Sequence, residues 1–197
     1  MEKQQYTIII FTENHIGLLN RVSIVFTRRH LNIDSITASE SEVKGVYRYT
    51  IVLVTTQKQI EKVVSQLEKL VEVLRASYYL EEEVIHQEIA LYKVDSAGLA
   101  NSNEVEKLVR YNNARILAIE KDYIVIEKTG YKAETQELFE KLEPFGVLQF
   151  VRSGRVALTK QRKELTSYLK EIEKASEKSD KIREWKLNKT DDTAMWL

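Results

Sequence analysis

Tyr6-Thr7-Ile8-Ile9-Ile10-Phe11-Thr12-Glu13-Asn14-His15-Ile16-Gly17-Leu18-Leu19-Asn20-Arg21-Val22 decides how the chain is read. Its first half is rich in isoleucine and aromatic residues, the composition of a buried strand. Its second half opens a helical stripe, because Leu18, Leu19, Val22, Val25 and Phe26 recur at three- and four-residue spacing. Between the two, Asn14 to Gly17 must turn the chain. The stretch is therefore a strand, a tight turn and an amphipathic helix.

Working outward, residues 32–39 alternate as a half-buried strand does, and Lys44-Gly45 is a hairpin turn leading into a strand over 47–54. Ile60, Val63, Val64, Leu67 and Leu70 form a second helical stripe, and residues 71–79 return as a strand. The order is β-α-β-β-α-β. It then repeats. Residues 84–94 read as a strand, although 88–92 only partly alternate. Val105, Leu108 and Val109 mark a helix with Asn101 or Ser102 as its cap. Residues 114–120 and 123–128 are strands joined at Lys121-Asp122. Leu138, Phe139 and Leu142 mark a helix that stops near Pro144, and residues 147–158 supply one final strand. The expectation is an α+β chain of two ferredoxin-like βαββαβ domains, residues 1–80 and 81–160, each a sheet with two helices on one face.

Residues 161–197 differ in character. Charges of both signs crowd them, and Leu165, Tyr168, Ile172, Ala175, Ser179 and Ile182 trace a weak heptad seam. That pattern fits a solvated, partly frayed helix or a helix that docks on a partner, and Trp185 and Trp196 are unusual for an inert tail.

Composition narrows the function classes. With 43% hydrophobic residues, one proline and six glycines in 197 residues, the chain can bury real cores and is not low-complexity. Its formal net charge of zero provides no field for nucleic acid. It has no cysteine, so disulfides, thiolate metal sites and a thiol nucleophile are excluded. Residues 1–5 are polar, without the pattern of a signal peptide, and no stretch approaches the roughly 20 apolar residues of a membrane span. A soluble cytoplasmic protein that contacts neither membrane nor nucleic acid is expected.

Catalytic groups do not converge. His15 and His30 bracket the first helix about 20 Å apart at about 1.5 Å per residue, so they cannot share a metal within one chain. His86 stands alone, no histidine pair has ligand spacing, and the glycines are too scattered for a phosphate loop. Glu40 and Glu81-Glu82-Glu83 read as solvated surface.

Binding is another matter. The turn Asn14-His15-Ile16-Gly17 presents the first N–H groups of the helix, which lack intrahelical partners and favour a negative charge. Two readings stay open on spacing alone: Asn14 as a helix cap with Gly17 as a turn residue, or a carboxylate site that Gly17 leaves accessible. Asn32 starts the next strand at the far end of the sheet, so it meets Asn14 only if a second copy of the domain packs alongside.

Residues 13–22 and Phe26-Thr27-Arg28-Arg29-His30-Leu31-Asn32-Ile33-Asp34-Ser35-Ile36 resemble the ACT domain of the regulatory small subunits of acetolactate synthase, also called acetohydroxyacid synthase. The resemblance continues through 67–74, 88–94 and 151–158, and spans about residues 5–160. The Asn-x-x-Gly-x-Leu core is shared by many ACT domains, whereas the later segments in this order are specific to the small subunits. The resemblance implies a homodimer formed through ACT domains that binds a branched-chain amino acid, usually valine, at the dimer interface. It implies a non-catalytic partner of the large subunit, which it activates and makes sensitive to feedback inhibition. Thiamine diphosphate, magnesium and FAD would belong to that large subunit and no cofactor to this chain. By the same resemblance, Asn14, His15, Ile16, Gly17 and Leu18 form the effector loop, and Asn32 and Ile33 are contributed from across the interface. The family pattern has Gly where this chain has His30, a position expected to be left-handed, and the tail lies beyond the pattern's end. A stand-alone ACT-domain sensor acting on another partner, such as a transcription regulator, is the alternative.

Overall fold

The computed structural model describes residues 2–96 and 103–161. The expected cap at Asn101 or Ser102 and the heptad seam of the tail lie outside the described residues.

The first domain runs β1 (Gln4–Glu13), α1 (Leu18–Thr27), β2 (Ser35–Glu40), β3 (Val46–Thr55), α2 (Gln57–Leu67) and β4 (Val73–Leu80). The second runs β5 (Val84–Asp95), α3 (Asn103–Tyr111), β6 (Arg115–Ile119), β7 (Tyr123–Gly130), α4 (Lys132–Leu142), β8 (Val147–Arg152) and β9 (Val156–Thr159). The sheets are ordered β2-β3-β1-β4 and β6-β7-β5-β8, the same antiparallel topology twice. On β1, Tyr6, Ile8 and Ile10 face the helices and are almost wholly buried with Leu18, Val22, Phe26, Ile60 and Leu67. In the second domain Tyr92, Ile126, Leu138 and Leu142 do the same. The Tyr92 hydroxyl donates to the Thr135 carbonyl at 2.6 Å and so ties α4 to its sheet.

Both first helices end in the same way. His30 (φ 53°) and Asn113 (φ 50°) are left-handed, and the next residue reaches back over the turn: Leu31 N–H to the Phe26 carbonyl, Ala114 N–H to that of Val109. This is the Schellman arrangement that glycine usually completes. His30 thus adopts the conformation expected where the family pattern has glycine.

One expectation needs correction. The final strand is not continuous over 147–158. Its two halves, β8 and β9, both run along β5, but Ala90 pairs with Arg152 while Gln87 pairs with Val156. One extra residue is therefore taken up at Ser153-Gly154-Arg155, a bulge that turns the chain towards the first domain. A Cβ on Gly154 would collide with Thr37 Oγ1 and lie 3.0 Å from the Ile36 carbonyl oxygen, so only glycine permits this approach.

The bulge explains a second burial pattern. Thr7, Ile9, Thr50 and Val52 point away from the helices, yet each is at most 5% exposed. Arg155 donates to Thr7 Oγ1 and Gln5 Oε1, both at 3.0 Å, and Arg48 donates to the Ala157 carbonyl. The outer face of the first sheet is thus closed by the β5–β9 strand pair. Along β5 burial alternates without a break. Val84, His86 and Glu88 face the first domain's side, and Ala90, Tyr92 and Val94 enter the second core. No helix among the described residues is long and apolar enough to cross a membrane.

Candidate functional site

The turn after β1 is held from two sides. Glu13 N–H donates to the Glu72 carbonyl at 3.0 Å, and Arg21 on α1 pairs with the Glu72 carboxylate at 2.6 Å. A hydrogen bond from its own backbone, reinforced by Arg21, holds the Glu72 carboxyl below its usual range. Leu18 N–H closes the turn on the His15 carbonyl at 3.3 Å, and Gly17 takes φ 81°. A Cβ there would have nothing within 4 Å, so the left-handed backbone, not crowding, selects glycine. Gly17 cannot cap with a side chain, Asn14 does not do so, and the first turn holds no acidic residue. The N–H groups of Leu19 and Asn20 consequently face outward without an acceptor among the described residues.

Beside those donors, between α1 and the start of the edge strand β2, lies an open groove of about 770 Å³. Gly17, Leu19, Asn20 and Ser23 form one wall, and Ile33 to Ile36 the other. The arrangement offers two backbone donors for a carboxylate beside the aliphatic side chains of Leu19, Ile33 and Ile36.

The residues named from sequence separate accordingly. Gly17 and Ile33 both line this groove within one chain. Asn14 and Ile16 are exposed beside the turn and do not line the groove. His15 is exposed and pairs with Glu13 at 3.0 Å. Leu18 is buried in the core, because its spacing to Val22, Val25 and Phe26 puts it on the inner stripe of α1. Asn32 is exposed beyond the start of β2. Since Ser35 sits beside Val52, and Val52 beside Thr7, it lies at the end of the sheet away from Asn14. No cluster of three metal-ligating side chains occurs among the described residues.

A second polar site was not anticipated. Between the domains lies a cleft of about 770 Å³ reached by His86, Glu88, Arg152, Arg155 and the start of α4. His86 is 4% exposed, and burial, with Arg155 nearby, pushes its imidazole below its ordinary pKa. Its isolation in sequence gave no signal, because Arg155 comes from the bulge and Tyr131 from the start of α4, while Glu81 reads as solvated surface.

Residues 8–75 match the family described as AHAS small subunit-like ACT domain, and residues 87–161 match the family described as small subunit of acetolactate synthase. The acetolactate synthase small subunit of Bacillus subtilis is 32% identical over 160 residues, covering 81% of this chain and 92% of that protein. This chain belongs to the acetolactate synthase small subunit family. A probable acetolactate synthase small subunit of Archaeoglobus fulgidus is likewise 32% identical over 159 residues, covering 81% of this chain and 99% of that protein. The crystal structure of the acetolactate synthase small subunit from Thermotoga maritima superimposes with a TM-score of 0.73 at 29% identity, covering 81% of this chain and 99% of that one. Both domains of the chain thus lie within the small subunit family, and the family match ends at residue 161.

Proposed function

We propose that this chain is a non-catalytic regulatory subunit that binds a branched-chain amino acid, valine first, at the start of α1 in an ACT-domain dimer. Through that dimer it activates the acetolactate synthase large subunit and makes it sensitive to feedback inhibition. Thiamine diphosphate, magnesium and FAD would work in the large subunit.

The observation that carries the reading is the uncapped α1 N-terminus facing an aliphatic groove. The free N–H groups of Leu19 and Asn20 suit the amino-acid carboxylate, and the helix dipole adds about 0.3–1 kcal/mol for a negative charge there. Leu19, Ile33 and Ile36 suit a branched side chain, and burying one on that surface contributes about 1.5–3 kcal/mol. The groove is open on one side, and β2 is a sheet edge with unpaired backbone groups. A second ACT domain packed along that edge would close the groove and bring its own Asn32 and Ile33 to it.

Calorimetry with valine, leucine and isoleucine tests the reading, together with sedimentation at the same concentrations. Saturable binding by a dimer, with valine shifting the activity of the reconstituted large subunit, is expected. A monomer that binds none of the three would overturn it.

A further inference from the structure

The cleft between the domains poses a charge problem that the ACT groove does not solve. Arg155 is 4% exposed, and its guanidinium meets only neutral oxygens, those of Thr7 and Gln5, within hydrogen-bond reach. The nearest carboxylate, on the exposed Glu81, is 4.0 Å away. Its Nε has no partner. A buried cation with so little compensation is costly unless an anion joins it. Arg152 lies on the same cleft, 3.7 Å from Glu88 and 3.1 Å from Gln136 of α4.

The start of α4 adds donors. Its N-cap position is Tyr131, whose side chain makes no cap hydrogen bond; Glu134 reaches back to the Tyr131 N–H at 2.7 Å, leaving the N–H groups of Lys132 and Ala133 without acceptors among the described residues. Lys132 and Ala133 both line the cleft.

His86 adds a requirement of the opposite sign. It lines the cleft, its ring packs edge-on against Tyr131 at 5.0 Å, and its Nε2 lies 3.3 Å from the Glu81 carboxylate. A carboxylate only accepts, so that contact puts the proton on Nε2 and leaves Nδ1 an acceptor. Nδ1 is buried and has no partner. The cleft therefore asks for a ligand that accepts several hydrogen bonds and donates one. Carboxylates from Asp34, Glu81 and Glu88 also reach it. They disfavour a fully deprotonated anion and favour one that keeps a proton.

We propose that this interdomain cleft is a binding site for hydrogenphosphate, whose oxygens accept from Arg152, Arg155 and the first N–H groups of α4 and whose P–O–H donates to His86 Nδ1. Sulfate has the charge and shape but lacks the proton. A phosphomonoester dianion lacks it as well. Acetate has too few oxygens to reach donors on separate elements. Because Arg155 also holds Thr7 and Gln5, an occupied site fastens one domain to the other.

The test is calorimetry on the full chain at pH 7.5 and fixed ionic strength, titrating inorganic phosphate, sulfate, methyl phosphate and acetate separately, each against chloride. Saturable phosphate binding is expected, with sulfate and methyl phosphate weaker by about tenfold for want of the donated hydrogen bond. Arg155→Gln should weaken phosphate by about tenfold or more. Should that variant fail to fold, Lys132→Pro serves, since proline is accepted at the first helical position and removes one N–H together with one charge. His86→Phe should abolish the preference for phosphate over sulfate. Gly17→Asp should leave phosphate binding unchanged, which separates this site from the amino-acid groove. Absence of saturable phosphate binding, equal binding of phosphate and sulfate by the unaltered chain, or phosphate binding untouched by both Arg155→Gln and Lys132→Pro would overturn the proposal.

Discussion

Two helix starts, α1 and α4, offer the same donors in opposite surroundings. Before α1 the chain turns through a left-handed glycine, and the open N–H groups face leucine and isoleucine side chains. Before α4 it enters from an extended Tyr131, and the open N–H groups face two arginines and a buried histidine. A helix end alone says only that an anion is welcome. The walls select which one: an aliphatic groove suits a small carboxylate with an apolar side chain, and a charged cleft suits a compact, strongly hydrogen-bonding ion.

The sharpest way to break this comparison is Gly17→Asp. An aspartate at the N-cap would itself accept from the N–H groups of Leu19 and Asn20 and would repel an incoming carboxylate. Loss of branched-chain amino-acid binding by about 100-fold or more is expected in calorimetry. Binding that survives would remove α1 from the site.

Next in size is Gly154→Val. The new side chain meets Thr37 and the Ile36 backbone, neither of which can give way easily. Urea denaturation should show a loss of about 1–3 kcal/mol. Unchanged stability would mean that the bulge does not hold the domains together.

A pH series sharpens the second site. His86 is kept neutral by burial and Arg155, against the opposing pull of Glu81 and Glu88, while Tyr131 packs on its ring. Its folded pKa is depressed, so the unfolded chain takes up the proton first. The stability it contributes is complete above the ordinary histidine value near about pH 6.5, and is lost as pH falls from there through the depressed folded value, at no more than about 1.4 kcal/mol per pH unit. The stability difference between the parent and His86→Phe should stay constant above that window and shift against the parent as pH falls through it. Parallel curves would mean that His86 does not titrate with folding.

The smallest effect compares the two Schellman turns. Histidine pays more than asparagine for a left-handed backbone. His30→Gly should therefore stabilise by up to about 1 kcal/mol in urea, and Asn113→Gly by less. The reverse order would contradict a shared strain at the two helix ends.

The β-α-β-β-α-β order was legible twice over because apolar residues recur with the right period in nearly every element. Leu18 shows the limit of a motif: its spacing to Val22 and Val25 already placed it on the buried stripe, although the effector pattern drew it to the site. Gly17 and Ile33 were identified together, but that both line one groove depends on how α1 packs beside β2, which no local pattern encodes. The break after Arg152 was hidden because a bulge is defined by the partner strand, and residues 147–158 carry strand-forming side chains on both sides of it. Glu88 blurred the hydrophobic alternation of β5, and His86 carried no signal, for a related reason. They occupy its buried face, but that half of the strand looks onto a polar cleft instead of an apolar core.

The long strand β5 has a consequence for how the protein can be divided. One continuous face serves two clients, the outer surface of the first sheet and the core of the second domain. Cutting the chain after residue 80 would strip the cover from Ile9 and Val52 and leave an ACT domain with a naked apolar flank. Such a fragment should self-associate or precipitate, and its behaviour would describe the wound more than the domain. The pair of domains is therefore the smallest piece worth expressing.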